Sequence, residues 1–137
     1  MDTLVMKTSY TPDGFCCSCD LLPGWTVSGR RDFGQFDRFV RESVDFYVSC
    51  AKADGDPLPP QLGGEWTVSY QMDAAALLNY YKGILPLSGL ARLTGINQRQ
   101  LAHYAAGRSR PRAGQAAKIE DALHRLGQEL QGVKVLV

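Results

Sequence analysis

Residues 33–51 constrain the fold of this chain more than any other segment, because their apolar residues recur with the period of an α-helix. Asp32 stands just before the segment and Gln35 follows three positions later, which is the spacing of a helix-capping box. Asp54-Gly55-Asp56-Pro57 predicts that the helix ends near residue 53. A helix with one apolar face needs another element to cover it, so we expect a sheet beside it. The predicted face consists of Phe33, Phe36, Val40, Val44, Tyr47, Val48 and Ala51.

Short β-type segments on both sides of this helix can supply the sheet. Residues 3–11 and 15–20 flank Pro12-Asp13-Gly14, where proline and glycine favour a tight turn, so residues 3–20 are predicted to form a hairpin. Residues 25–28 and 66–70 are predicted as a third and a fourth strand. The predicted order within residues 1–70 is therefore β-β-β-α-β.

Only helical patterns follow residue 70. Residues 72–84, 88–93, 98–106 and 115–131 are predicted helices, capped at their starts by Asp73, Ser88 and Asn97 in the first three. Gly107 is predicted to end the third helix in a left-handed conformation, and Pro111 prevents its continuation. The apolar stripes expected to face a core are Ala76, Leu77, Tyr80 and Ile84 in the first helix and Ile119, Ala122, Leu123, Leu126 and Leu130 in the last. The chain is thus predicted to be α+β, with one unit at 1–70 and an all-α unit at 71–137.

The charges divide along the same line, although the net charge of the 137 residues is only +1. Residues 1–70 carry six Lys/Arg and ten Asp/Glu, whereas residues 71–137 carry nine and four. This asymmetry makes the second unit a candidate for binding a polyanion. No apolar run is long enough to span a bilayer and the N-terminus lacks the pattern of a secretory signal, so we expect a cytoplasmic protein.

Neither the cysteines nor the carboxylates predict a metal or catalytic site. Cys16, Cys17 and Cys19 crowd one predicted strand, where Cys17 and Cys19 share a face, and their spacing does not match a zinc site. We interpret these three, with Cys50, as small apolar residues of a reduced protein. Four aspartates could in principle serve a nuclease. We instead expect Asp13 to lie in a turn, Asp20 to end a strand, Asp32 to cap a helix and Asp37 to be exposed on that helix.

Residues 88–112 carry the spacing of a helix-turn-helix. Ala91 is small where the second helix must approach, Gly95 suits the turn four residues later, and Leu101 is apolar six residues beyond. Such a motif presents the start of its second helix to the major groove of DNA, where Arg pairs with guanine and Gln with adenine. We expect Tyr104 at the edge of the core. The predicted DNA-binding residues are Gln98, Arg99, Gln100 and His103 on the helix and Arg108, Ser109, Arg110 and Arg112 after it, the latter toward phosphates.

Two family resemblances accompany these motifs. Asp13-Gly14-Phe15 and Leu22-Pro23-Gly24-Trp25-Thr26-Val27-Ser28-Gly29, followed by a helix, an acidic-Gly turn and a Pro-rich stretch, resemble the N-terminal domain of HicB-family antitoxins, which has a partial ribonuclease-H-like fold. Residues 88–112 resemble the Cro/repressor-type (Xre-like) family. The chain departs from the first at Arg30-Arg31, where an acidic residue and Thr are common, and from the second at Leu87, where Gln often contacts the DNA backbone. Asn79 or Ser88 is a candidate to replace that contact.

Together the resemblances imply an antitoxin of a type II toxin–antitoxin system, without a cofactor. The first unit would bind a HicA-type, RNA-cleaving toxin, and the second would bind operator DNA as a homo-dimer or higher homo-oligomer. Trp25 and Trp66 are candidate toxin contacts, with core packing as the alternative for each. Two other functions stay open, namely a stand-alone dimeric transcriptional regulator and a metal-dependent nuclease that uses the carboxylates of the first unit.

Overall fold

The computed structural model describes all 137 residues, Met1–Val137, and confirms the α+β class. Four strands and one helix come first, with a single 3₁₀ turn at Pro60–Leu62: β1 (Asp2–Thr11), β2 (Gly14–Ser18), β3 (Thr26–Arg30), α1 (Phe33–Asp54) and β4 (Trp66–Met72). We call these the sheet unit. Four helices follow, α2 (Ala74–Tyr80), α3 (Leu87–Thr94), α4 (Gln98–Ala105) and α5 (Ala113–Gln131), which we call the helical unit. No helix is both long and apolar enough to cross a membrane.

The sheet is mixed, with the strand order β3-β2-β1-β4. Antiparallel pairing joins β1 to β2 and β2 to β3, as expected for strands linked by short turns. The last strand, β4, lies parallel to β1 on its other side, with Leu4 opposite Val68. A parallel neighbour requires a long crossover, which α1 and the segment after it provide. Because β4 runs to Met72, the sheet extends two residues past the expected unit boundary at residue 70.

Helix α1 begins and ends where the sequence predicts. The carboxylate of Asp32 accepts a hydrogen bond from the backbone N–H of Gln35 at 2.9 Å. Gly55 adopts the left-handed conformation with φ of +71° and ends the helix. Thirteen buried residues from the sheet, α1, their connections and Ala76 of α2 form the first core. Phe36, Val40 and Val44 supply the helix face of this core and are fully buried.

Asp37 is not the exposed residue of α1 that the sequence predicts. Its carboxylate accepts a hydrogen bond from Tyr70 Oη at 2.7 Å and one from Arg41 Nε at 3.1 Å, and its side chain is about two-thirds buried. Burial, followed by the bond to Asp37, raises the pKa of Tyr70. The two residues lie 33 positions apart, so helical spacing within α1 gave no sign of the pair.

The remaining candidates for chemistry in the sheet unit lie in separate places. Cys17 and Cys19 are buried on one face and Cys16 is half-buried on the other, as predicted. Burial raises the pKa of the Cys17 thiol to about 12, so the thiol stays protonated at neutral pH. Asp20 forms an exposed ion pair with Lys7 at 2.9 Å. No three His, Cys, Asp or Glu side chains are grouped closely enough to hold a metal ion.

The first two helices of the helical unit depart from the prediction. The first helix is shorter than expected, because the chain turns at Tyr81, whose carbonyl accepts from Ile84 N and Leu85 N. Tyr80 and Ile84 are therefore exposed rather than core residues. The second helix begins at Leu87 after Pro86, whose carbonyl accepts from Leu90 N, so Ser88 lies in its first turn and is not the cap.

The second core is small and shares α2 with the first. It contains six buried residues, Leu78, Leu90, Ile96, Leu101, Tyr104 and Ile119. Ala76 faces the first core while Leu78, two positions later, faces the second. The ring of Tyr80 also meets that of Phe33 edge to face, with centroids 4.8 Å apart. The two units are thus joined through opposite sides of a seven-residue helix.

Candidate nucleic-acid interface

The connection between α3 and α4 is a short turn fixed by local hydrogen bonds. Gly95 has φ of +75°, in the left-handed region that glycine adopts without strain, and its N–H donates to Ala91 O at 2.9 Å. The hydroxyl of Thr94 donates to Leu90 O at 2.7 Å and accepts from Ile96 N at 3.1 Å. These bonds set the direction in which α4 leaves the turn. The buried side chains of Ile96 and Leu101 then hold α4 against the core.

The start of α4 is capped and points its side chains into solvent. Asn97 Oδ1 accepts a hydrogen bond from Arg99 N at 2.7 Å, as expected for an N-cap. Leu101 and Tyr104 face inward, which confirms the predicted burial of Tyr104. Gln98 and Arg99 are exposed as a result, on a rigid helical turn. This is the geometry that base-edge contacts in a groove require.

The end of α4 holds the basic loop close to the helix. Gly107 has φ of +75°, its N–H donates to Tyr104 O at 3.1 Å, and Arg108 N donates to His103 O at 2.9 Å. This pair of bonds is the Schellman arrangement, which fixes the backbone of Arg108 directly after the helix. His103 is half-buried, whereas Arg108, Arg110 and Arg112 are exposed.

Two of the predicted DNA-binding residues bind each other. Gln100 Nε2 donates a hydrogen bond to Ser109 Oγ at 3.2 Å, and both side chains are half-buried. The bond spans nine positions and ties the basic loop to the middle of α4. Gln100 therefore has a structural role that the sequence did not indicate, alongside any contact with a base.

Asn79 does not present a free amide to solvent. Its Nδ2 donates to Ala75 O at 2.8 Å in its own helix and to Ala105 O at 2.9 Å at the end of α4. The expectation that Asn79 replaces a DNA-backbone contact is therefore wrong, because its donors are occupied by carbonyls of the protein. Ser88, the other candidate, is exposed in the first turn of α3, where no side chain caps the helix.

The helical unit contains a long stretch of sequence that is basic without acidic residues. No Asp or Glu occurs between Asp73 and Glu120, and every Lys and Arg side chain in that stretch is exposed. Both salt bridges of the structure lie in the sheet unit, so these cations have no acidic partner within the chain. Three of these cations, Lys82, Arg92 and Lys118, are not among the predicted DNA-binding residues, because they lie outside residues 98–112. The full set is Lys82, Arg92, Arg99, Arg108, Arg110, Arg112 and Lys118.

The start of α5 adds backbone donors beside these cations. Arg112 occupies the cap position, no side chain caps the helix, and its first turn contains no acidic residue. Uncapped N–H groups at a helix start attract anions, and phosphate is the anion that such groups contact in DNA complexes. The loop between α4 and α5 therefore combines exposed guanidinium groups with a helix start.

A cleft of about 1010 Å³ separates this loop from the end of the sheet. The residues that line the cleft include Ser109 and Arg110 of the loop, Tyr10 and Asp73 at the end of the sheet, and Glu120 of α5. The cleft places the basic loop beside the sheet unit but on an open surface that a large ligand can approach.

The sheet unit presents a different surface, in which one aromatic side chain stands out. Phe46 of α1 is 72 % exposed and is flanked by the exposed carboxylates of Glu42 and Asp45. Trp25 is buried, with Nε1 donating to Ser43 Oγ at 3.0 Å, and half-buried Trp66 packs against the first core. The core alternative for both tryptophans is therefore the one that the structure supports.

The chain was compared with protein-family models, with curated proteins and with solved structures, and none of them matches it.

Proposed function

We propose that this protein is a HicB-like antitoxin that represses its own operon by sequence-specific DNA binding and neutralises a HicA-type, RNA-cleaving toxin in the cytoplasm. The observation that carries the proposal is the exposed start of α4 beside a cation-rich surface without a single carboxylate between Asp73 and Glu120. None of these cations forms a salt bridge within the chain, so their charge is available to a nucleic acid.

The DNA-binding part is a helix-turn-helix formed by α3, the Gly95 turn and α4. In this arrangement Arg99 and Gln98 reach base edges, while Arg108, Arg110 and Arg112 contact phosphates. Gln100 holds Ser109, and through it the basic loop, at a fixed distance from α4. Two copies of the protein would bind two half-sites related by two-fold symmetry.

The toxin-binding part is the sheet unit, a partial ribonuclease-H-like fold in this proposal. Phe46 has the properties of an interface anchor, because it is a large aromatic side chain that the chain itself leaves uncovered. Glu42 and Asp45 beside it favour a basic partner, and small RNA-binding proteins are basic. Phe46 replaces Trp25 and Trp66 as the residue to test first.

DNA binding is tested with the purified full chain, its own upstream DNA and a scrambled sequence at two salt concentrations. We expect selective binding that weakens with salt, and Arg99→Ala should lose roughly 1–3 kcal/mol of discrimination. Arg108→Ala should instead weaken both DNAs equally and reduce the salt slope by about 0.9. Arg38→Ala removes an equal charge from an exposed site on α1 and serves as the matched control. Equal affinity of the wild type for both DNAs would refute autoregulation.

The antitoxin role is tested with the product of the neighbouring reading frame. A small basic RNA-binding protein encoded there should co-purify with the wild type and lose its RNA-cleaving activity in the complex. Phe46→Glu should weaken that complex while Arg38→Ala leaves it intact.

A stand-alone dimeric transcriptional regulator is the second candidate, and the Arg30-Arg31 step favours it. Arg30 stacks over the Phe39 ring at 4.5 Å, and Arg31 Nη2 donates to Pro12 O at 2.8 Å. These arginines thus interact within the sheet unit at a position where the antitoxins it resembles are often acidic. Selective DNA binding without any toxin gene beside the operon would favour this candidate.

A further inference from the structure

One face of α5 lines the cleft between the basic loop and the end of the sheet. The five residues concerned recur at helical spacing, and they are Ala116, Ile119, Glu120, Leu123 and His124. The remaining lining residues come from the ends of β1 and β4, from α2, and from the end of α4 with the loop after it. Leu130 lies farther along α5, is 59 % exposed and does not line the cleft, so the expectation that it faces a core is wrong.

The cleft has an apolar lining that belongs to both cores. Tyr104 and Ile119 are buried members of the second core, and Leu123 packs against it. Tyr10 and Met72 pack against the first core and also line the cleft. A volume of about 1010 Å³ is near the upper end of the range for small-molecule sites, which commonly form at junctions between structural units. The lining therefore suits a ligand with a large apolar part.

The cleft also contains two opposite charges that are not paired with each other. Arg110 and Glu120 both line it and are both exposed. Both salt bridges of the chain lie in the sheet unit, so neither residue has an ionic partner. The other carboxylate of the cleft, that of Asp73, accepts a hydrogen bond from Ala76 N at 2.9 Å and already caps α2. One free guanidinium and one free carboxylate therefore remain for a ligand.

We propose that the cleft binds a zwitterion with an apolar side chain, namely an α-amino acid or a short peptide with free termini. Its carboxylate accepts hydrogen bonds from the Arg110 guanidinium, and its ammonium group donates to the Glu120 carboxylate. Its side chain packs on the apolar lining around Tyr104 and Leu123. A free amino acid fills part of the cleft and a tripeptide fills more of it, so both sources share one recognition chemistry.

Other occupants leave at least one of these charges without a partner. A simple anion pairs with Arg110 but lies beside the carboxylates of Asp73 and Glu120, which repel it, and nucleic acid meets the same repulsion. An apolar segment of a protein partner would cover both free charges without pairing either, which is costly. A zwitterion pairs both.

Ligand binding should compete with one of the predicted phosphate contacts. Arg110 belongs to the loop after α4, and in the proposed function it contacts the DNA backbone. A ligand carboxylate that holds its guanidinium removes one phosphate contact from the DNA complex. The ligand is therefore expected to act as an effector that weakens operator binding, and this consequence rests on the proposed function.

The first measurement is isothermal titration calorimetry of the full chain with L-phenylalanine and with the tripeptide Ala-Phe-Ala, without DNA. 3-Phenylpropionate and phenethylamine each keep the ring and one of the two charges. We expect at least one zwitterion to bind and each single-charge analogue to bind about tenfold more weakly, the value of one charged hydrogen bond. The tighter of the two zwitterions identifies the source.

Substitutions at the two charges locate the ligand. Arg110→Ala and Glu120→Gln should each weaken binding of the tighter zwitterion about tenfold. Arg38→Ala and Asp121→Asn remove equal charges from exposed sites outside the cleft and should leave the affinity unchanged. Ala116→Trp, at an exposed site that lines the cleft, places a large side chain there and should abolish binding while circular dichroism shows an unchanged helix content.

The second measurement is binding to the chain's own upstream DNA at two salt concentrations, with and without saturating amounts of the tighter zwitterion. The zwitterion should lower the DNA affinity of the wild type and reduce its salt slope by about 0.9, the value of one phosphate contact. It should have no such effect on Arg110→Ala, which already lacks the contact.

The inference is overturned if neither zwitterion binds, if 3-phenylpropionate binds as tightly as the tighter zwitterion, or if Arg110→Ala and Glu120→Gln leave the affinity unchanged. It is also overturned if a chain that selects its own DNA keeps the same DNA affinity in saturating zwitterion. Weakening of the toxin complex by Ala116→Trp, in a chain that binds no zwitterion, would assign the cleft to a protein partner instead.

The inference and the proposed function can fail separately. Zwitterion binding by a chain that does not select its own upstream DNA refutes the repressor and keeps the ligand site. Selective DNA binding by a chain that binds neither zwitterion does the reverse.

Discussion

The sheet unit and the helical unit differ in what their side chains interact with. The first core has 13 buried residues, and both salt bridges of the molecule lie beside it. The second core has six buried residues, and the cations around it have no acidic partner in the chain. Both units use polar side chains in internal hydrogen bonds, but only the sheet unit pairs cations with carboxylates.

The core of six residues in the helical unit is supported by a helix that it shares with the sheet unit. Burial of apolar surface scales with size, so a small bundle is marginal when it stands alone. Here α2 is shared, because Ala76 and Leu78 are buried in different cores and Tyr80 packs on Phe33 of the sheet unit. The helical unit therefore gains stability from its packing against the sheet unit.

The largest effect is expected where the larger core loses its largest buried helix residue. Phe36 is fully buried and its ring lies 5.7 Å from that of Phe15 and 6.2 Å from that of Tyr70. Phe36→Ala should lower the free energy of unfolding by about 3–5 kcal/mol, through lost burial and the cavity left behind. Urea denaturation measures this, and Phe46→Ala, at an exposed site of the same helix, should change it by no more than about 0.5 kcal/mol.

A somewhat smaller loss of stability is expected from a substitution in the second core, and it should affect the helical unit more than the sheet unit. Leu101→Ala is expected to cost about 2–5 kcal/mol. Because the second core is small, the amides of α3 and α4 should then exchange hydrogen much faster while those of β1 and β2 keep their protection. Leu93→Ala, at an exposed position of α3, is the control. Equal loss of protection in both units would show that the molecule unfolds as one cooperative body.

The link between α2 and α4 within the helical unit should contribute less than either core. Asn79→Ala removes the two hydrogen bonds to Ala75 O and Ala105 O, at a cost of about 1 kcal/mol. Faster amide exchange is expected at α2 and at the C-terminal end of α4 together. Asn97→Ala removes a cap of similar value but should affect the first turn of α4 alone. If the two variants give the same exchange pattern, Asn79 does not link α2 to α4.

The smallest effect near neutral pH concerns the buried thiol of the sheet unit. Burial raises the pKa of Cys17 from 9.0 to about 12, so the folded protein keeps a proton that the unfolded chain releases above pH 9. The contribution of Cys17 is therefore complete below pH 9 and is lost as the pH rises toward 12. Urea midpoints at pH 8, 9 and 10 should fall, and the fall should be shallower in Cys17→Ala. A slope that the substitution leaves unchanged would assign the loss to other groups, with Tyr70→Phe as the next variant.

Much of the candidate site could be predicted because it depends on local spacing. Asn97 caps α4, Gly95 and Gly107 take left-handed conformations, and Leu101 is buried, all as the sequence indicates. The same local reasoning failed at the start of α3. Ser88 is the better cap by residue type, yet the helix begins one residue earlier, and Pro86 O accepts the hydrogen bond from Leu90 N.

The order of the elements, the caps Asp32, Asp73 and Asn97 and the separation of charge are predictable, because each depends on residues within about one helical turn or on simple composition. Which groups meet across the chain is visible in the folded structure alone. Tyr70 binds Asp37, Asn79 binds Ala105 O, Gln100 binds Ser109, and Leu130 faces solvent rather than the core. The spacing of apolar residues along the sequence predicts which face of a helix a side chain lies on. Whether anything covers that face depends on the length and position of the neighbouring elements.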